Sequence, residues 1–172
     1  HVLFLIVLTI PYIFKDWKRV FLLVTMFTLG HTVSLLLAVY GAINIKASII
    51  EFLIPITILI IALFNVFTAG KGAQKEKVGI LFFSTLFFGL VHGLGFAREF
   101  KMYIGKASSK LIPLLEFALG IEIAQIIVVF IVLLLGYIFQ TIFRFSKRDW
   151  IMVVSAIVIG LVIPMLINNN PF

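Results

Sequence analysis

Three histidines and one glutamate interrupt long apolar stretches of this 172-residue chain, and their side chains could bind a metal ion. The four residues are His1, His31, His92 and Glu122. Imidazole and carboxylate groups are ligands for divalent transition metals such as nickel, cobalt and zinc. Because the chain contains no cysteine, no thiolate could contribute to such a site. The sequence therefore predicts a site for one of these metals, as a substrate or as a bound ion.

The composition indicates a membrane protein. Hydrophobic residues make up 63% of the chain and charged residues 12%, whereas soluble domains carry about 25% charged residues. The mean hydropathy is +1.25. The apolar stretches do not alternate with polar residues as strands of a barrel would, so helices are favoured. We expect an all-α fold, a polytopic transmembrane helical bundle that forms one domain over residues 1–172.

Six apolar segments, separated by short charged connections, are predicted to form the helices. They cover residues 1–14, 20–40, 49–67, 78–97, 111–139 and 150–167. The first is shorter than the ~20 residues that a spanning helix needs, and it starts with His rather than Met. We therefore expect the protein to begin upstream, with about seven helices in the intact chain.

Lys and Arg are distributed unevenly among the connections. The connections after the first, third and fifth segments hold nine of these residues, and the other two hold five. Basic loops remain on the cytoplasmic side, so the first set is predicted to face the cytoplasm. Trp17 and Trp150 fall on that side, where tryptophan anchors helices at the interface.

The net charge of +7 is explained by these loops. We expect membrane lipids and a metal ion as partners and no nucleic acid, because no basic face with interleaved aromatic residues occurs. A homo-oligomer or a further membrane-protein partner remains open.

The ionisable residues within the apolar segments are predicted to lie at similar depths. At about 1.5 Å per residue, the three histidines and Glu122 lie roughly 18 to 22 Å from a charged connection, near the middle of the membrane. An ionisable residue at that depth is costly and is a functional hypothesis by default. The shared depth favours a common site over separate interhelical hydrogen bonds.

Polar neighbours of these residues could orient them. Thr28 and His31 are three residues apart, as are Glu122 and Gln125, so each pair shares one helix face. A hydroxyl from Thr28 or Ser34 could bond an imidazole and fix its orientation.

Small residues surround His92. Gly89 and Gly93 form a small-xxx-small pattern, which lets a neighbouring helix approach closely. Asn65 is expected to form a hydrogen bond between helices.

Several stretches of the chain resemble the HupE/UreJ family of small membrane proteins. They are "HVLF", "FTLGHTVSL", "IEFLIPITILIIALFN", "FFGLVHGLGFA" and "GIEIAQ". The resemblance implies a nickel or cobalt permease in the inner membrane of a bacterium, with His1, His31, His92, Glu122 and Gln125 as the candidate site. One departure is Ala118, which replaces a side-chain amide of the family pattern and cannot bind a ligand.

Two other classes of function remain open beside the permease. A metal-dependent intramembrane hydrolase would need a metal-bound water facing a cleft. A structural or accessory subunit would leave the histidines paired with neighbouring side chains. The permease is favoured over an enzyme, because no known catalytic motif occurs in the sequence.

Single cysteines in this cysteine-free chain test the orientation. Cysteines introduced at residues 15–19, 70–77 or 144–149 are expected to react with an impermeant thiol reagent only from the cytoplasmic side. Cysteines in the other two connections should react only from the opposite side. Reaction of the first set from the periplasm alone would reverse the topology.

Overall fold

The fold is a bundle of α-helices, as the sequence predicts. The computed structural model describes residues 1–70, 78–105 and 109–171, of which 84% are helical. Within these ranges the seven helices are α1 (Val2–Thr9), α2 (Trp17–Val39), α3 (Ala47–Thr68), α4 (Val78–Gly95), α5 (Ala97–Ile104), α6 (Leu111–Thr141) and α7 (Lys147–Asn168).

Four stretches are long and apolar enough to cross a membrane within the described ranges. They are α3, α6, α7 and the stretch Phe14–Val39, which contains α2. The helices α4 and α5 form a pair bent by 54° and count as a fifth span if they are taken together. The chain is therefore an integral membrane protein.

The structure differs from the predicted segments in two places. The sequence predicted a connection over residues 98–110, but residues 97–104 form α5, which buries Phe100 and Ile104 on one face. The first predicted segment ran to residue 14, but α1 ends at Thr9. Pro11 follows the C-terminal cap residue Ile10 and has no N–H with which to continue the helix.

The ends of the helices group into two opposite layers. Arg148 at the start of α7 lies beside Gly70 at the end of α3, and Trp150 packs against Ile10 after α1. At the other end, Leu35 of α2 packs with α5 and the start of α6. The described parts of the connections predicted to be cytoplasmic thus lie together at one end of the bundle. Residues 71–77, which belong to the second of these connections, fall outside the described ranges. That this layer faces the cytoplasm stays a prediction.

The two tryptophans differ in their surroundings. Trp17 is 57% exposed, in keeping with a place at the membrane surface. Trp150 is only 7% exposed and stacks on Phe139 with a centroid separation of 5.3 Å. Trp150 therefore joins α6 and α7, and its place at the membrane interface stays a prediction.

The centre of the bundle is formed by α2 and the short helix α1. In the apolar 18-residue stretch of the span that contains α2, half of the stretch is buried inside the bundle. The buried share of the corresponding stretches in α3, α6 and α7 is 22 to 28%. Phe4 and Val7 of α1 are fully buried and pack with Phe27, Ile58 and Val158 from three other helices. The helix α1 is therefore enclosed by the spanning helices around it.

Two asparagines donate hydrogen bonds between helices. Asn65 donates to the carbonyl of Val7 over 2.6 Å, which confirms the predicted interhelical bond. Pro55 lies inside α3 and has no N–H to donate to the carbonyl of Glu51. Asn169, just after α7, donates to that carbonyl over 3.2 Å. A backbone acceptor released by proline is thereby satisfied at this end of the bundle.

The most extensive contact between helices joins α2 and α4, which run parallel. A Cβ atom added at Gly30 would lie less than 3.0 Å from the carbonyl oxygen of Leu86. One added at Gly89 would overlap the carbonyl of Phe27 in the same way, and one at Gly93 would overlap His31. Each helix thus presents glycine to the backbone of the other, and the predicted role of Gly89 and Gly93 in helix packing is confirmed.

The variant Gly89→Leu should destabilise the bundle by at least ~1–3 kcal/mol, because backbone atoms cannot move aside as a flexible side chain can. Gly160→Leu is the matched control, since no atom of the described residues lies within 4 Å of a Cβ added there. We expect a lower midpoint temperature of unfolding in detergent for Gly89→Leu than for Gly160→Leu. Equal midpoints would contradict close packing of α2 and α4.

Candidate functional site

The imidazole rings of His1, His31 and His92 lie next to one another. The ring centroid of His1 is 5.7 Å from that of His31 and 4.8 Å from that of His92. The rings come from the residue before α1, the middle of α2 and the last turn of α4. The predicted convergence of the three imidazoles is confirmed, whereas their role as metal ligands stays a prediction.

Aromatic side chains enclose this histidine cluster. His31 is 1% exposed and His92 is fully buried. Phe4 lies 4.7 Å from His92, and Phe96 lies 4.4 Å from His1 and 5.3 Å from His31, measured between ring centroids. Such an environment offers an imidazole few hydrogen-bonding groups, and a buried nitrogen without a partner is costly.

The hydroxyl of Thr57 determines which ring nitrogen of His92 carries the proton. Thr57 donates its single hydroxyl proton to the carbonyl of Ile54 over 2.6 Å. The same oxygen lies 2.8 Å from Nε2 of His92, so it must accept the proton that Nε2 carries. The lone pair of the neutral ring is then on Nδ1, which has no partner among the described residues.

The imidazole of His1 carries its proton on the same ring nitrogen as that of His92. Its Nε2 lies 3.2 Å from the carbonyl oxygen of His92. A carbonyl can only accept, so Nε2 of His1 carries the proton and Nδ1 carries the lone pair. Bonds of this kind, from one ring nitrogen to a hydroxyl or a carbonyl, fix the orientation of histidines that bind metals through the other nitrogen.

His31 differs from the other two histidines. Neither of its ring nitrogens has a hydrogen-bond partner in the described ranges, although both are buried. Most buried polar atoms in proteins have a partner, so an exception of this kind requires an explanation.

The side chains around the cluster are not arranged as a complete metal site. In the part of the chain that the structure describes, no three His, Asp or Glu residues are placed so that they could hold one ion. The three imidazoles therefore stand close together without aiming at one point.

Glu122 and Gln125 lie in the interface between α6 and α2. Glu122 accepts a hydrogen bond of 2.7 Å from Thr25, and Gln125 accepts one of 2.9 Å from Thr28. Within the described residues no hydrogen bond joins Glu122 to an imidazole. Its predicted approach to the histidines is therefore not seen, and its role as a ligand stays a prediction.

The hydroxyl that orients an imidazole is not one that the sequence predicted. Thr28 bonds Gln125, and Ser34 donates to the backbone carbonyl of His31 over 3.0 Å. Thr57 takes this role instead. Its only sequence signal is a hydroxyl in the apolar third segment, and helix pairing was needed to relate it to His92.

Comparison with known proteins identifies the family of the chain. No similar curated protein and no similar solved structure was found. A family model described as HupE / UreJ protein matches residues 1–169, nearly the whole chain. This integral membrane protein, in which the partly buried imidazole of His1 lies beside the buried imidazoles of His31 and His92, belongs to the HupE/UreJ family.

Proposed function

We propose that this protein binds a divalent transition metal, nickel or cobalt, at the histidine cluster and passes it across the inner membrane of a bacterium. The metal is the substrate of this transport. Membership of the HupE/UreJ family supports the proposal, because that family is associated with nickel and cobalt transport.

The observation that carries the proposal is the state of His31. A histidine that only joins helices has partners, as His92 has in Thr57. His31 is buried to 99% and has two ring nitrogens without partners in the described ranges. Leaving such a group unsatisfied costs about 1–3 kcal/mol. Coordination of a metal by one of its nitrogens would offset that cost.

The spacing of the rings also supports a shared ion. Imidazole nitrogens bind these metals at about 2.1 Å, so two rings on one ion have centroids roughly 5 Å apart. The separations of 4.8 and 5.7 Å around His1 are of this size. Rotation of the His31 ring is the smallest change that would direct a nitrogen at the ion, because no hydrogen bond from a described residue holds this ring.

The chemistry of the cluster suits passage of an ion. Conduction requires binding that is favourable enough for the ion to enter and weak enough for it to leave. Neutral imidazoles supply lone pairs but no negative charge, so they bind a divalent ion less tightly than thiolates or several carboxylates would. Glu122 is a carboxylate on an adjacent helix and could receive the ion after it leaves the imidazoles.

Removal of His31 tests the ligand role. Cobalt(II) binding to the purified protein, followed by absorption and calorimetry, is expected to weaken at least tenfold in His31→Leu. Ser155→Ala is the control, since Ser155 is also fully buried and unpartnered among the described residues but lies on α7. Equal affinity in wild type and His31→Leu would refute the proposed function.

Replacement of Thr57 tests the positioning of His92. Thr57→Val keeps the shape of the side chain but removes the acceptor for Nε2–H, and cobalt(II) affinity is expected to fall roughly tenfold. Thr57→Ser retains the hydroxyl and should restore most of the affinity. Equal affinities of the two variants would show that this hydrogen bond does not orient the ring.

A further inference from the structure

A groove lies between α5 and α6, next to the histidine cluster. Its volume is about 550 Å³. Glu99 and Tyr103 of α5 form one wall, and Glu116 and Gly120 of α6 form the other. Both carboxylate residues are exposed, so the groove opens to the surroundings of the bundle.

Two phenylalanines separate this groove from the histidines. Phe96 and Phe117 line the groove and lie 5.9 Å apart, edge to face. On the other side, the Phe96 centroid is 4.4 Å from that of His1 and 5.3 Å from that of His31. Phe117 is 6.4 Å from His31. A single layer of aromatic rings thus stands between an open groove and the unpartnered imidazole.

The position of Phe96 allows it to move. It is the one residue between α4 and α5, at the 54° bend between these helices. Neither phenyl ring has a polar atom, so rotation of a ring breaks packing contacts but no hydrogen bond. Both rings are only half-buried, which leaves room for such a rotation on the groove side.

Two carboxylates and an open wall are the features of this mostly apolar groove that suit a cation on its way inward. Glu99 and Glu116 place two carboxylates in one concave surface, which raises the local concentration of cations. At Gly120 the wall is open, because no atom of the described residues lies within 4 Å of a Cβ added there.

We propose that this groove is the path by which the divalent cation reaches His31, with Phe96 and Phe117 as the gate. Glu99 and Glu116 attract the ion before it passes the gate. The identity of the ion rests on the proposed function, but the path itself is a property of the fold and can be tested without metal.

The first experiment measures access to the site with a thiol reagent. His31→Cys provides the only cysteine in the chain, and its rate of reaction with a small cationic methanethiosulfonate is measured in membrane vesicles. Adding Gly120→Leu fills the groove and should slow the reaction at least tenfold. Adding Gly160→Leu, the matched control at an open glycine of α7, should leave the rate unchanged. Adding Phe117→Ala opens the gate and should raise the rate severalfold. Equal rates with Gly120→Leu and Gly160→Leu would overturn the path.

The second experiment keeps all histidines and follows cobalt(II) binding by stopped-flow absorption. Gly120→Leu should slow association and dissociation at least tenfold each, while the dissociation constant changes less than threefold. The double variant Glu99→Gln, Glu116→Gln should slow association severalfold at low salt. A change in affinity without a change in rates would overturn the path and assign Gly120 to the binding site.

The two proposals fail in different ways. Absence of cobalt(II) and nickel(II) binding in the wild type would refute the proposed function, but thiol labelling would still report on the groove. Normal metal binding together with labelling that does not respond to Gly120→Leu would refute the path alone.

Discussion

The close approach of α2 and α4 is the constraint on which the rest of the structure depends. Gly30, Gly89 and Gly93 bring the two backbones together, so that His31 and His92 belong to the same layer of the bundle. Lipid provides no hydrophobic force between helices, so close packing of this kind is a main source of their association. A larger residue at any of the three glycines would separate the helices and with them the imidazoles. The close helix packing that the glycines allow therefore also brings the imidazoles of the site together.

Within this frame, several buried polar side chains form hydrogen bonds to another helix. Asn65 donates to the carbonyl of Val7, and Thr57 holds the ring of His92. In a membrane this pairing is needed because water cannot replace a missing bond. Among the three histidines His31 stands out, since His1 and His92 each have one bonded ring nitrogen and His31 has none among the described residues. Under the proposed function, this unsatisfied imidazole is the ligand that accepts and releases the ion.

The sequence predicts the class of fold and the convergence of the histidines, because both follow from properties read along one segment. The length of each apolar segment predicts a helix, and the distance of each histidine from the nearest charged connection predicts its depth in the membrane. Which residues on different helices lie next to each other cannot be inferred in this way. The partner of Glu122 is Thr25, and the residue that orients His92 is Thr57, on a helix that the sequence does not relate to it. α5 was missed because its charged residues resemble a loop, although Phe100 and Ile104 fall on one face.

The enclosure of the cluster by phenylalanine has consequences for both affinity and passage. Four phenylalanine rings (Phe4, Phe27, Phe96 and Phe117) contact the imidazoles, which excludes water and strengthens every interaction of a charged ion with its ligands. The same exclusion makes a bare divalent ion costly there, and neutral imidazoles offset only part of that cost. An ion is therefore held strongly only while several nitrogens bind it together. If the cluster binds an ion as proposed, rotation of the unanchored ring of His31 would weaken the site and release the ion, so the absence of a bond to His31 would serve both binding and passage.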